Sequence, residues 1–250
     1  MIYDCFTFYN ETNILNKRLL YLNNVVDKFV VVESTVTHRG NPKELYFDIR
    51  VFPEDIQKKI IHIVVEDNPT DKDPWTRENH QRVCIQRGLS DASDDDIIMV
   101  SDVDEIPNEL VVSELDSVLR NNDLNIVSFH MYAFEFSLMT MQVREPWFGT
   151  VATRFKFMKE NSITPQQMRQ TRWSHPRLMK AGWHMSSFGD SEFVNNKMQN
   201  FAHCYDKTFK ELNEETIKQN MEKNLSSDGV FVNPPTPQEI LDAVPEIFKT

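Results

Sequence analysis

No window of this chain approaches the roughly 18 to 20 uninterrupted apolar residues of a membrane-spanning helix. The longest apolar region, Ile126 to Val143, is interrupted by His130 and Glu135 and alternates like a strand. Met1-Ile2-Tyr3-Asp4 lacks the charged start and apolar run of a secretory signal. Cysteine is scarce: Cys5, Cys84 and Cys204 are three, an odd count without metal-ligand spacing, and read as small buried hydrophobes in a reducing compartment. A cytoplasmic protein with no membrane insertion is the expectation. Excess positive charge is also lacking. The formal charge of −11 argues against a nucleic-acid or anionic-membrane partner. Internal repeats and low-complexity tracts are absent, and 250 residues with 40% hydrophobic content suit a single sizeable core.

What is present is organised around Asp96-Ile97-Ile98-Met99-Val100-Ser101-Asp102-Val103-Asp104-Glu105-Ile106-Pro107. Four consecutive apolar residues read as a short strand buried on both faces, and Pro107 ends the ladder. Side chains alternate along an extended chain, so Asp102 and Asp104 project from one face. Two carboxylates that close repel unless a cation lies between them, and oxygen ligands favour Mg²⁺ or Mn²⁺. An EF-hand is excluded, because no Gly follows at the sixth position and no Glu closes the loop at the twelfth.

Strands are expected at Ile2 to Tyr9, Lys28 to Val32, Ile60 to Val65 and Ile97 to Val100, alternating with helices at Ile14 to Asn23, Trp75 to Leu89 and Asn108 to Arg120. That alternation predicts an α/β fold with a mostly parallel central sheet flanked by helices. Further strands are expected at Asn125 to Phe136, Phe148 to Met158 and Met179 to Met185, with helices at Thr164 to Arg172, Asp190 to Phe201 and Lys207 to Asn224. The ends of parallel strands share one edge, so Tyr9 to Glu11, Glu33, Glu66-Asp67 and Ser101 to Glu105 converge on one crevice. Glu33 is placed to accept a hydrogen bond from a base ring. His38, Arg39, Lys43, Arg77 and Arg82 are either a solvated basic surface or guanidinium and ammonium groups that balance a diphosphate.

Gly182-Trp183-His184 and Phe188-Gly189-Asp190 form a second constellation. Trp183 offers a stacking face for a sugar, His184 stands beside it, and Asp190 is a candidate base for an attacking hydroxyl. The plainer alternative is a core Trp, a satisfied His and a helix N-cap Asp. His203 is a candidate third metal ligand or a structural histidine.

The set Phe6-Thr7-Phe8-Tyr9-Asn10-Glu11, Val32-Glu33-Ser34, Thr37-His38-Arg39-Gly40, Trp75-Thr76-Arg77-Glu78-Asn79-His80-Gln81-Arg82, Ser101-Asp102-Val103-Asp104-Glu105-Ile106-Pro107 and Gly182-Trp183-His184 resembles glycosyltransferase family 17, in order over residues 1 to about 205. The resemblance implies a GT-A (Rossmann-like) fold, a UDP-sugar donor with UDP-N-acetylglucosamine foremost, a glycan acceptor, a divalent metal and inversion. Carried onto this chain, it implies that Asp102 contacts ribose and metal, that Asp104 is the principal metal ligand, and that Glu33 faces uracil. One of Arg77 and Arg82 would face the nucleotide. The base falls on Asp190, with Glu192 in reserve, although an Asp after Phe188-Gly189 departs from the small residue of the family pattern. One domain is expected, with a nucleotide-sugar half at 1–107, an acceptor half at 108–225 and a tail at 226–250. A metal-dependent nucleotidyl- or phosphotransferase and a non-catalytic carbohydrate-binding module remain the alternatives.

Overall fold

The computed structural model describes residues 1–142, 146–206, 209 and 212–249. Val143 and Lys207, the ends of two segments delimited from the sequence, lie outside the described residues. The chain begins with β1 (Ile2–Phe8), α1 (Thr12–Leu22), β2 (Lys28–Ser34), β3 (Ile60–Val65), α2 (Pro74–Val83) and β4 (Ile97–Asp102). β5 (Glu105–Pro107), β6 (Ile126–Glu135), β7 (Ser137–Met141), β8 (Trp147–Arg154), α3 (Pro165–Gln170), β9 (Arg177–Leu178), β10 (Gly182–Ser186), α4 (Ser191–Asn200) and α5 (Glu214–Glu222) follow.

The sheet runs β3-β2-β1-β4-β8-β6-β10-β5, with β7 and β9 paired to β6. Its first four strands are parallel, as the alternation of strand and helix requires. The expectation of a mostly parallel sheet is otherwise wrong. β8 runs antiparallel to both β4 and β6, β5 runs antiparallel to β10, and β7 runs antiparallel to β6, so the sheet is mixed. Apolar runs and alternation report which faces of a strand are buried, not which way its neighbour points.

β1, β2 and β4 are buried on both sides, which explains their continuous apolar runs, while β3 at the sheet edge is half-buried. Phe6, Phe8, Val31 and Met99 pack with Leu15 and Leu19 of α1 on one face. Tyr3, Cys5, Val30, Val32 and Val100 pack with Ile85 and Leu89 on the other. β8 stops at Arg154 rather than reaching Met158, because Phe155 N–H and Lys156 N–H donate to the carbonyls of Asp96 and Asp94 and the chain turns into a helix at Phe155–Glu160. At Gly182 an added Cβ would stand 2.2 Å from the carbonyl oxygen of Ile106, so the β10–β5 contact tolerates no side chain there.

α1 buries Ile14, Leu15, Arg18, Leu19 and Leu22 on one face, and the charged member is the unusual one. Arg18 and Asp4 of β1 are both fully buried and form a forked pair, Nε to Oδ2 at 2.9 Å and Nη2 to Oδ1 at 2.6 Å. The rest of the guanidinium donates to Ser101 Oγ at 2.7 Å and to the carbonyls of Asp102, Val103 and Glu105 at 3.0, 3.1 and 2.8 Å. One side chain therefore satisfies the turn that leaves β4. Arg18→Met leaves Asp4 charged and alone in the core, and a loss of about 3–5 kcal/mol is expected. Urea unfolding checks it: the midpoint should fall sharply with an unchanged slope, and an unaltered midpoint contradicts the role.

Candidate active site

Asp102 ends β4 and Asp104 sits in the turn before β5; both face a cavity of about 610 Å³. Asp102 Oδ1 accepts from Arg82 Nη2 at 2.9 Å and Oδ2 from Arg169 Nη2 at 2.8 Å. Burial opposes ionisation of Asp102, but the Arg169 and Arg82 guanidiniums outweigh it and hold the carboxyl well below the usual carboxylate range. Asp104 Oδ2 accepts from Lys197 Nζ at 3.0 Å, and its Oδ1 lies 3.7 Å from His184 Nε2. Burial again works against the charge, and Lys197 and His184 lower the Asp104 pKa in spite of it. Lys197 also reaches Glu11 at 3.2 Å.

Glu105 supports this turn from beneath. Fully buried, it accepts from the Asp102 N–H at 2.9 Å, from Trp147 Nε1 at 3.0 Å and from Arg169 Nη2 at 2.9 Å. Gly149 of β8 makes room for it, since a Cβ there would stand 2.5 Å from Met131 Sδ and 3.1 Å from the Glu105 carboxyl carbon. Trp147 then stacks on His184, with ring centroids 4.3 Å apart and planes 11° from parallel.

Of the residues singled out from the sequence, Tyr9, Glu11, His38, Lys43, Arg82, Asp102, Asp104, His184 and His203 line the cavity. His203 does not converge with the two aspartates into a three-donor cluster; its Nδ1 pairs with Asp206 at 2.6 Å and its ring meets Trp75 edge-on. Ser101 lies beneath, bonded to Arg18. Arg77 is spent on the His38 carbonyl at 2.6 Å and on the Asp71 carbonyl, where it braces the loop. Trp183 is buried among Ile106, Phe134 and Met185, off the cavity wall. Asp190 caps α4, accepting from the Phe193 N–H at 2.8 Å, and Glu192 is exposed in the first turn of that helix. Neither carboxylate faces the cavity.

Glu33 is also off the wall. Its Oε1 accepts from Lys43 Nζ at 2.7 Å and from the Tyr46 N–H at 2.6 Å, and its Oε2 accepts from the Phe47 N–H at 3.1 Å. A carboxylate so occupied anchors the 43–47 segment and has little left for a base.

Sequence reasoning missed Arg169, Arg172, Lys197 and Trp147, all on the cavity wall. Arg169 and Arg172 come from α3 and the turn after it, where local pattern reads as an ordinary solvated helix. Arg172 lies beside Arg169 and over the rings of Trp147 and Trp173, at 5.9 and 5.0 Å, with no carboxylate within ion-pair distance among the described residues. Arg82 Nε, Arg169 Nε and Arg172 Nε are buried without an acceptor among the described residues. Three guanidiniums gathered on one wall of a hollow suit an oxyanion ligand.

The chain matches the model of glycosyltransferase family 17 over residues 1–228. It belongs to that family. This family 17 glycosyltransferase is 32% identical over 107 residues to the human beta-1,4-mannosyl-glycoprotein 4-beta-N-acetylglucosaminyltransferase, a stretch that is 39% of this chain and 20% of that enzyme. The enzyme of Rattus norvegicus gives the same identity and coverage. The chain thus covers about a fifth of the length of the curated relatives it matches. Among solved structures it is similar to S. aureus TarS 1-349 in complex with UDP-GlcNAc, at a TM-score of 0.42 and 12% identity over 90% of this chain and 73% of that one. The overlap is too loose to bear on chemistry.

Burial pushes the Glu33 pKa up, but hydrogen bonds from His62, Lys43 and the Tyr46 N–H outweigh it and hold the carboxyl below the usual glutamate range. Its contribution to stability is present above the unfolded pKa and is lost as pH falls through the folded one. Glu33→Gln is expected to cost about 3 kcal/mol near neutrality and to flatten the acid decline of the melting temperature. Parallel curves for variant and wild type contradict this.

Proposed function

We propose that this family 17 glycosyltransferase is an inverting, divalent-metal-dependent enzyme that moves a sugar, N-acetylglucosamine foremost, from a UDP-sugar to a glycan hydroxyl. The observation that carries the reading is the pair Asp102–Asp104 at the exit of β4, opening into a cavity whose wall also carries the guanidiniums of Arg82, Arg169 and Arg172. Ligands of α/β sheets gather at such strand exits.

The residues fit a hard cation. Asp104 Oδ1 accepts no hydrogen bond among the described residues, and a carboxylate oxygen with room for water and phosphate is what Mn²⁺ or Mg²⁺ takes. Asp104 and Asp102 would hold the ion, which when bound neutralises charge on the departing diphosphate as a Lewis acid. Arg172, a guanidinium with no carboxylate partner among the described residues, meets phosphate oxygens, and Arg169 and Arg82 orient Asp102. Trp75, 38% exposed on the cavity wall, presents an apolar face to a base or sugar ring. Attack from the face opposite the diphosphate inverts the anomeric centre through an oxocarbenium-like transition state. The hydroxyl proton is assigned neither to Asp190 nor to Glu192, because neither faces the cavity.

Calorimetry with UDP and turnover of UDP-N-acetylglucosamine test the proposal. Wild-type protein should bind UDP more tightly with Mn²⁺ than with EDTA, and release UDP with the labelled sugar on acceptor. Asp104→Asn should lose at least about tenfold of the metal-dependent affinity. Equal binding in EDTA removes the metal role, and label that follows the phosphate makes the protein a nucleotidyltransferase.

A further inference from the structure

A second group of donors lies behind α2, away from the cavity. His80 and Cys84 are four residues apart and share one face of the helix and its 3₁₀ continuation, Cys84–Leu89. Glu78 and Arg82, which flank His80 at two residues on either side, face the cavity instead. Asp67, two residues beyond β3, completes the group. None of Asp67, His80 and Cys84 lines the cavity, and none contacts Asp102 or Asp104 in any ion pair or hydrogen bond among the described residues.

Both spacings about His80 are those of a coordination shell. His80 Nε2 is 3.5 Å from Asp67 Oδ2 and 3.6 Å from Cys84 Sγ, and the three donor atoms lie within 4.8 Å of one another. Tetrahedral zinc with bonds of about 2.0–2.3 Å spaces its ligands about 3.3–3.7 Å apart. The surroundings also suit an ion. Cys84 is 2% exposed, packed in the apolar cluster beneath α2, while Asp67 and His80 reach solvent and leave an entry path. Arg87 holds Asp67 through both carboxylate oxygens, at 2.9 and 2.6 Å. A carboxylate fixed in this way keeps further lone pairs for a metal, and the guanidinium serves as the outer partner that orients it.

We propose that Asp67, His80 and Cys84 form a site for a borderline-soft divalent cation of the zinc class, separate from the Asp102–Asp104 turn. One sulfur, one imidazole nitrogen and one carboxylate oxygen select Zn²⁺ or Co²⁺ over Mg²⁺ and Mn²⁺, leaving a fourth position for water. Binding replaces the thiol proton, which passes to solvent, with a metal–sulfur bond. The ion ties the exit of β3 to the helix that carries Arg82, so its occupancy stiffens one wall of the cavity. The site stands whether or not the proposed transfer reaction is the right one.

The test is titration of EDTA-stripped, reduced full-length protein with Co²⁺, followed by absorbance. One equivalent should give a thiolate-to-cobalt charge-transfer band in the near ultraviolet with the strong visible bands of tetrahedral cobalt, displaced by Zn²⁺ but not by Mg²⁺. Cys84→Ser should abolish the near-ultraviolet band, and His80→Ala should weaken binding at least about tenfold. Asp104→Asn should leave the spectrum intact. Circular dichroism verifies folding of each variant, and Cys84→Ala replaces Cys84→Ser if the latter unfolds. Absence of the band in wild type, its survival without Cys84, or unchanged affinity without His80 overturns the proposal.

Discussion

Arg18 is the constraint on which the rest depends. A guanidinium with no exposure would be prohibitively costly alone, yet Asp4 neutralises it and the chain after β4 supplies its remaining acceptors. The exchange works in both directions. Carbonyls of Asp102, Val103 and Glu105 obtain a donor, and the charge obtains a solvation shell made of backbone. The two aspartates thus project from a turn whose main chain is fixed from below, independently of whatever their carboxylates hold.

Above that turn, charges are arranged as alternating partners. Arg82 and Arg169 divide the oxygens of Asp102, and Lys197 bridges Asp104 and Glu11. In a partly dry hollow each such pair avoids an isolated charge. A diphosphate accompanied by a divalent ion brings charges of both signs, so it can exchange into this lattice without stranding either. Arg172 departs from the pattern, held against two indole rings with no carboxylate partner among the described residues.

How much of this was legible in the sequence follows from what each signal reports. The doubly buried strands announce themselves by uninterrupted Val, Ile and Met, and the Asp-rich stop at the end of β4 follows from the same run. Arg18 was legible in principle, as a cation at a position whose neighbours 14, 15, 19 and 22 are all apolar. Strand direction in the second half was not, because burial alternation is the same beside a parallel or an antiparallel neighbour. Arg169 and Lys197 look like solvated helix residues locally, and only the packing of α3 and α4 over the strand exits gives them carboxylates. Asp190 shows the reverse: the residue type and setting that suggested a base are those of a cap, and capping is what its carboxylate does.

Gly149 reaches further than its size suggests. Any side chain at that position would crowd the Glu105 carboxylate, which holds the main-chain amide of Asp102. A methyl group added one strand away would therefore re-aim the acidic turn without altering a single charge.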